Sequence, residues 1–132
     1  MNPDRQKERI SEFIAALDRN ATADLADMIA ADFQFEIITS APGSSQKVDR
    51  NQFLEVMPGV LREMFPNGFN YTCGQALADG THASMQGSCE TVTGSGKRYS
   101  NRYHWYFRFQ GDKINLFREH LDSYAAFEAF QS

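Results

Sequence analysis

Two cysteines in 132 residues are too few for a disulfide scaffold, and the three histidines (His82, His104 and His120) have no metal-ligand spacing with Cys, Asp or Glu. An excess of positive charge is also missing. Thirteen Lys and Arg stand against seventeen Asp and Glu, a net charge of −4, which argues against nucleic acid or an anionic membrane as partner. No apolar run reaches the roughly 18–20 residues of a membrane span. The opening MNPDRQKER lacks the apolar segment of a secretory signal. Internal repeats, low-complexity tracts and linkers are absent, and Gly94-Ser95-Gly96 lacks the spacing of a phosphate loop. The expectation is one cytoplasmic α+β domain over 1–132, without cofactor or metal.

What the chain has is an aromatic alternation near its end. Tyr99, Asn101, Tyr103, Trp105, Phe107 and Phe109 take every second position, with Arg98, Ser100, Arg102, His104, Tyr106 and Arg108 between them. Period two places these sets on opposite faces of a strand. Gln110-Gly111-Asp112 turns the chain into a second strand over 113–122.

Upstream, 4–18 reads as a helix with Ile10, Phe13, Ile14 and Leu17 on one face, and Thr22 as cap to a short helix over 23–31. Residues 33–37 alternate as a strand, 41–45 form a loop, and Asp49 caps a third helix that Pro58-Gly59 splits. A hairpin about Asp79-Gly80 follows, then a turn at Ser95-Gly96, the aromatic hairpin and a last helix over 123–130 capped by Asp122. The order is α-α-β-α-β-β-β-β. It predicts a curved antiparallel sheet with the helices packed on its concave face.

Pairing strands about these turns gives a map of that face. Tyr71 falls opposite Ser88, Ser88 opposite Tyr103, Gln86 opposite Trp105, and Glu90 opposite Asn101. Cys73 and Cys89 fall on opposite faces. In the last strand the apolar positions change parity, from Ile114 and Leu116 to Phe117 and Leu121, as a β-bulge near 116 would produce. Glu119 then points inward opposite Tyr103; without the bulge, Arg118 and His120 would do so. A buried Glu119 needs partners, which the Tyr103 and Ser88 hydroxyls can supply. The same polar row could equally be a satisfied core.

Phe65-Pro66-Asn67, Ala78-Asp79-Gly80-Thr81-His82 and above all GKRYSNRY, FQGDKI and REHLD make the chain resemble the SnoaL-like branch of the nuclear-transport-factor-2-like superfamily. This superfamily of cone-shaped α+β barrels includes polyketide cyclases and steroid isomerases. The resemblance implies a barrel that holds a small, largely apolar molecule. Within it, Glu119 would be a general base, with Tyr103 and Ser88 beside it. Tyr71, Gln86, Glu90, Asn101, Trp105, Phe117, Phe13, Phe35 and Ile37 would contact the ligand. Phe13, Ile37 and Trp105 stand where steroid isomerases have a tyrosine, a carboxylate base and an aspartic acid, so that activity is not expected. Ser88 and Gln86 stand at one carboxylate and the arginine of limonene-epoxide hydrolases. A non-catalytic binding or assembly module is the alternative. The outer face, with Tyr106 and His104 among Arg102, Arg108 and His120, is expected to pair two copies into a homodimer.

Overall fold

The computed structural model describes residues 1–41 and 47–130. Asn2 starts the first helix, its side-chain carbonyl accepting from the Arg5 amide at 2.8 Å, and Pro3 fits the first turn because no bond is asked of its nitrogen there. Helix α1 (Pro3–Arg19) buries Ile10, Phe13, Ile14 and Leu17 and ends at Asn20 in the left-handed region, φ 58°. Helix α2 (Thr22–Met28) is shorter than its sequence suggested, and Thr22 is its first residue rather than its cap. The backbone is already extended at Ile29, where β1 (Ile29–Ile38) begins. The loop expected at 41–45 lies, beyond Ala41, outside the described residues.

A short strand the sequence did not announce, β2 (Lys47–Asp49), pairs with β1. Asp49 Oδ1 accepts from the Gln52 amide at 2.9 Å while Gln52 Oε1 accepts from the Asp49 amide at 3.0 Å, a reciprocal box that starts the next helical stretch. That stretch opens at Arg50, widens into a π-helical turn (Gln52–Val56) and continues as α3 (Met57–Met64). Pro58 has no N–H for a regular bond here, and the Met57 amide reaches back five residues to Gln52 O. Strands β3 (Tyr71–Asp79), β4 (His82–Val92), β5 (Arg98–Gln110) and β6 (Lys113–Leu121) follow, then α4 (Ser123–Ala129). Asp122 caps α4 by accepting from the Ala125 amide at 3.1 Å.

Among the described residues the sheet is six-stranded in the order β2-β1-β6-β5-β4-β3 and does not close. It is mixed rather than wholly antiparallel, because β1 adds to β6 in parallel. Its inner face and α1 enclose the core. Phe13 is at the centre, edge-on to Phe107 (5.7 Å) and Phe117 (5.0 Å) and stacked with Phe53 (6.1 Å). Such ring pairs add about 0.5–1.5 kcal/mol each beyond their buried area.

Asp18, in the last turn of α1, ties this core to the start of β3. Its Oδ1 accepts from the amides of Phe69 (2.8 Å) and Asn70 (3.0 Å), and Oδ2 from that of Tyr71 (3.0 Å). Gly68 runs so close, with φ 77°, that a Cβ there would lie 3.0 Å from Asp18 Oδ1. Asp18→Ala strands three amides at once, and urea unfolding should show a loss of roughly 2–3 kcal/mol. A loss below about 0.5 kcal/mol would mean water replaces the carboxylate without cost.

Candidate functional site

Strand β5 alternates as its sequence dictates. Tyr99, Asn101, Tyr103, Trp105, Phe107 and Phe109 are all buried on the inner face. Strand β4 does not follow the expected map. Val92 pairs with Arg98, so the β4–β5 connection has five residues, closed by Thr93 and Lys97 and turned at Gly96 (φ 90°). An odd-numbered loop shifts the register by one and inverts the strand. Ser88 therefore pairs with Arg102, Gln86 with His104 and Glu90 with Ser100, all on the outer face. Inward come Ala83, Met85, Gly87, Cys89 and Thr91. An extra residue in β3, between Cys73 and Ala76, compensates and leaves Tyr71 inward, opposite Cys89. Cys73 pairs with Gly87, so the two cysteines share a face rather than oppose each other, and both are free thiols.

The parity slip in β6 is a bulge at Asn115. Phe109 pairs with Ile114 and Arg108 with Leu116, leaving Asn115 unmatched. Beyond it Phe117, Glu119 and Leu121 face inward, while Arg118 turns outward to Glu36 (2.8 Å) and His120 is exposed. Glu119 lies opposite Trp105, one rung from the expected Tyr103.

Between the inner face and the helices is a cavity of about 610 Å³. Phe35 and Ile37 of β1 and Val48 of β2 form one side. The π-helical turn and α3 supply Val56, Met57, Val60, Leu61 and Met64, and α4 supplies Ala126 and Phe127. Val56, Val60 and Phe130 stay 45–60% exposed and form an apolar rim. The polar end consists of Tyr71, Tyr99, Tyr103 and Glu119. Among the described lining residues Glu119 is the one ionisable carboxyl, and none is Lys, Arg or His.

Glu119 is 8% exposed, and its Oε1 accepts from Trp105 Nε1 at 3.1 Å. Burial pushes its pKa up to about 7, and the indole hydrogen bond, which favours the ionised form, limits the rise. Trp105 is fully buried, stacked on Tyr103 (5.1 Å) and edge-on to Tyr71 (5.2 Å). It has that space because residue 87 is glycine: a Cβ there would sit 2.3 Å from the indole ring. Burial also raises the hydroxyls of Tyr71 and Tyr103 well above the ordinary tyrosine range and Tyr99 to about 12, so all three are protonated donors at neutral pH.

Of the residues the sequence singled out, the structure brings Glu119, Tyr103, Tyr71, Phe35 and Ile37 to the cavity. Trp105 supports Glu119 from behind, and Asn101 is buried beside Tyr99, donating to its hydroxyl at 2.7 Å. Phe13 and Phe117 are fully buried packing residues, corrected from ligand contacts to core. Ser88, Gln86 and Glu90 are corrected to the outer face, away from the cavity. Tyr99 and the α3 and α4 positions were missed, although the strict alternation of β5 already placed Tyr99 inward.

The family description "SnoaL-like domain" matches residues 10–117. No curated protein matches the chain by sequence. A solved NTF2-like protein from Burkholderia thailandensis superposes over 100% of both chains at a TM-score of 0.81 and 18% identity. An LEH-like epoxide hydrolase from M. tuberculosis covers 96% of this chain and 90% of its own, at 0.76 and 16%. TerC, co-crystallised with polyporic acid, covers 95% and 96%, at 0.80 and 13%. At these identities the likeness is one of fold.

The elevated Glu119 pKa has a consequence for folding. With about 7 in the folded protein against 4.5 for an ordinary glutamate, the folded state holds a proton that the unfolded chain releases. Its contribution to stability is therefore full below 4.5, declines as pH rises, and is gone above 7. Urea unfolding across that range should show a fall of up to roughly 3 kcal/mol that Glu119→Gln removes. An unchanged pH profile in Glu119→Gln would place the carboxyl in water.

Proposed function

The chain belongs to the SnoaL-like family, and on that premise we propose that its cavity holds a small, largely apolar molecule on which Glu119 acts as a general base. One observation carries this reading: a lone carboxyl at the end of an apolar cavity, with its pKa at about 7. A base works best when its pKa lies near ambient pH, because it is then ionised often enough and still holds a proton firmly. Trp105 orients the carboxyl, and the Tyr103 and Tyr71 hydroxyls are donors for a substrate oxygen as charge develops on it. The chemistry proposed is proton transfer without cofactor, as in isomerisation, cyclisation or dehydration.

Steroid-isomerase chemistry is not proposed, since Phe13 and Trp105 are sealed in the core and Ile37 is apolar. Nor is epoxide hydrolysis by paired carboxylates, since Ser88 and Gln86 face outward. The absence of a second acid among the described lining residues favours one further reading, a ligand-binding module without turnover.

A carbon-acid probe separates the two. In heavy water, exchange of the α-hydrogens of 2-tetralone, followed by NMR, should be accelerated by the protein with a rate that rises through about pH 7. Glu119→Gln should lower it at least about a hundredfold while neutral N-phenyl-1-naphthylamine still binds. Binding retained with equal exchange in wild type and variant leaves the binding module standing and removes the base.

We also propose a homodimer through the outer face of the sheet. Tyr106 stacks on His82, accepts or donates a hydrogen bond at its Nδ1, and carries the Arg118 guanidinium 5.4 Å above its ring. Arg102, His104, Arg108 and His120 are exposed around this cluster. Aromatic and arginine side chains on an exposed strand face suit a two-fold contact, which repeats every residue on both sides. Sedimentation should show a dimer at micromolar concentration and a monomer for Tyr106→Glu; a monomeric wild type would contradict the assignment.

A further inference from the structure

The polar end of the cavity has a hydrogen-bond direction, and Asn101 sets it. Its Oδ1 accepts from two backbone amides, Arg102 at 2.8 Å and Asp122 at 2.9 Å, which fixes the orientation of the side-chain amide. Its Nδ2 must then face the other way, where it donates to the Tyr99 hydroxyl at 2.7 Å and to the Asp122 carbonyl at 3.0 Å. Tyr99 and Tyr103 share a hydrogen bond of 3.3 Å. The Tyr103 oxygen also lies 3.2 Å from Cys89 Sγ.

Counting hydrogens gives the polarity. The two phenols carry one hydroxyl hydrogen each, and one of these is used between them, whichever phenol donates. Asn101 can only give to this pair, because its acceptor oxygen is occupied. The second hydrogen is therefore left facing either a thiol, which is a weak acceptor, or the cavity that both tyrosines line. Among the described lining residues there is no cation to hold an anion, and the one acid, Glu119, lines the same polar end as these donors.

We propose that the Asn101–Tyr99–Tyr103 chain makes this end of the cavity a donor that selects uncharged ligands bearing a carbonyl oxygen, with Asn101 as the positioning residue. The inference rests on reading the cavity as the ligand site. A carbonyl oxygen accepts the surplus hydrogen and demands nothing in return. A carboxylate ligand would accept it too, but would enter an apolar space without a counter-charge, in the same cavity as the Glu119 carboxyl. A hydrocarbon of equal size would leave the hydrogen on the thiol. With the carbonyl held there, a hydrogen on the adjacent carbon is the acidic one that the Glu119 carboxylate would take up. The C–H electron pair moves toward the carbonyl, and the tyrosine hydrogen bond steadies the oxygen that gains charge.

Three probes of similar shape test this: 2-acetonaphthone, 2-ethylnaphthalene and 2-naphthoate, titrated against the fluorescence of Trp105, the chain's single tryptophan. The ketone should bind about tenfold tighter than the hydrocarbon, one good hydrogen bond's worth, with the naphthoate weakest. The infrared carbonyl band of the bound ketone should move to lower frequency. The double variant Tyr99→Phe/Tyr103→Phe should cancel both the preference and the band shift, leaving hydrocarbon binding unchanged. Asn101→Asp should weaken the preference, because a carboxylate there takes the Tyr99 hydrogen and turns the chain around; if that variant does not fold, the double variant still decides. The Tyr71 hydroxyl, which has no hydrogen bond among the described residues, supplies the control. A band shift lost in Tyr71→Phe but kept in the double variant overturns the proposal. So does equal affinity for ketone and hydrocarbon, or tighter binding of naphthoate. In each of those outcomes the cavity remains a binding site, whereas failure of all three probes to bind would remove the cavity reading and this inference with it.

Discussion

One unpaired residue, Asn115, decides what faces the interior of this protein. Without the bulge there, β6 would present Arg118 and His120 to the core and put Phe117, Glu119 and Leu121 in water. Burying an arginine beneath α1 without its partner would cost several kcal/mol. With the bulge, Arg118 reaches Glu36 at 2.8 Å and lies over Tyr106, and the Asn115 side chain accepts from Arg108 Nε at 3.0 Å. The outer cluster, the Phe117 core and the placement of Glu119 are thus consequences of one local irregularity. Bulges of this kind are well suited to re-aiming a side chain within a regular strand.

The interior that results is asymmetric. Toward α1 it is a closed aromatic core about Phe13; toward α3 and α4 it opens into the cavity. Glu119 sits at the boundary, with its desolvation offset in part by a single indole donor. That arrangement leaves the carboxyl neither fully ionised, as a strong ion pair would, nor permanently neutral. Gly87 underlies it, since any side chain at that position would push Trp105 off the ring position from which Nε1 reaches Oε1. The small residue on β4 and the large one on β5 are complementary parts of the same device.

The resemblance and, apart from the short strand β2, the element order could be read from the sequence because their signals are strong. Strand β5 alternates a mostly aromatic inner set against a polar, arginine-rich outer set, and the parity change at Leu116-Phe117 is visible in the hydrophobic pattern itself. Strand β4 could not be read. Its inward set includes Gly87 and Cys89 and its outward set Gln86 and Ser88, so hydrophobicity barely separates the faces, and the five-residue connection was not distinguishable from a two-residue turn about Ser95-Gly96. The cavity walls failed for a different reason. Met57, Leu61 and Met64 show the same helical spacing as Phe53, yet Phe53 fills the core while the others line a void. Periodicity tells which face of a helix avoids water and is silent on whether anything fills the space beyond it.

The proposed base chemistry depends on the protonation of one group, Glu119, and a site-resolved titration reads it directly. With glutamate labelled by 13C at the carboxyl, the Glu119 resonance should titrate with a midpoint near 7, against 4.5 for an ordinary glutamate. In Trp105→Phe, where the donor to the ionised form is gone, the midpoint should move higher still. A midpoint at the ordinary value, unmoved by Trp105→Phe, would contradict the claim that this carboxyl is a desolvated base held by the indole.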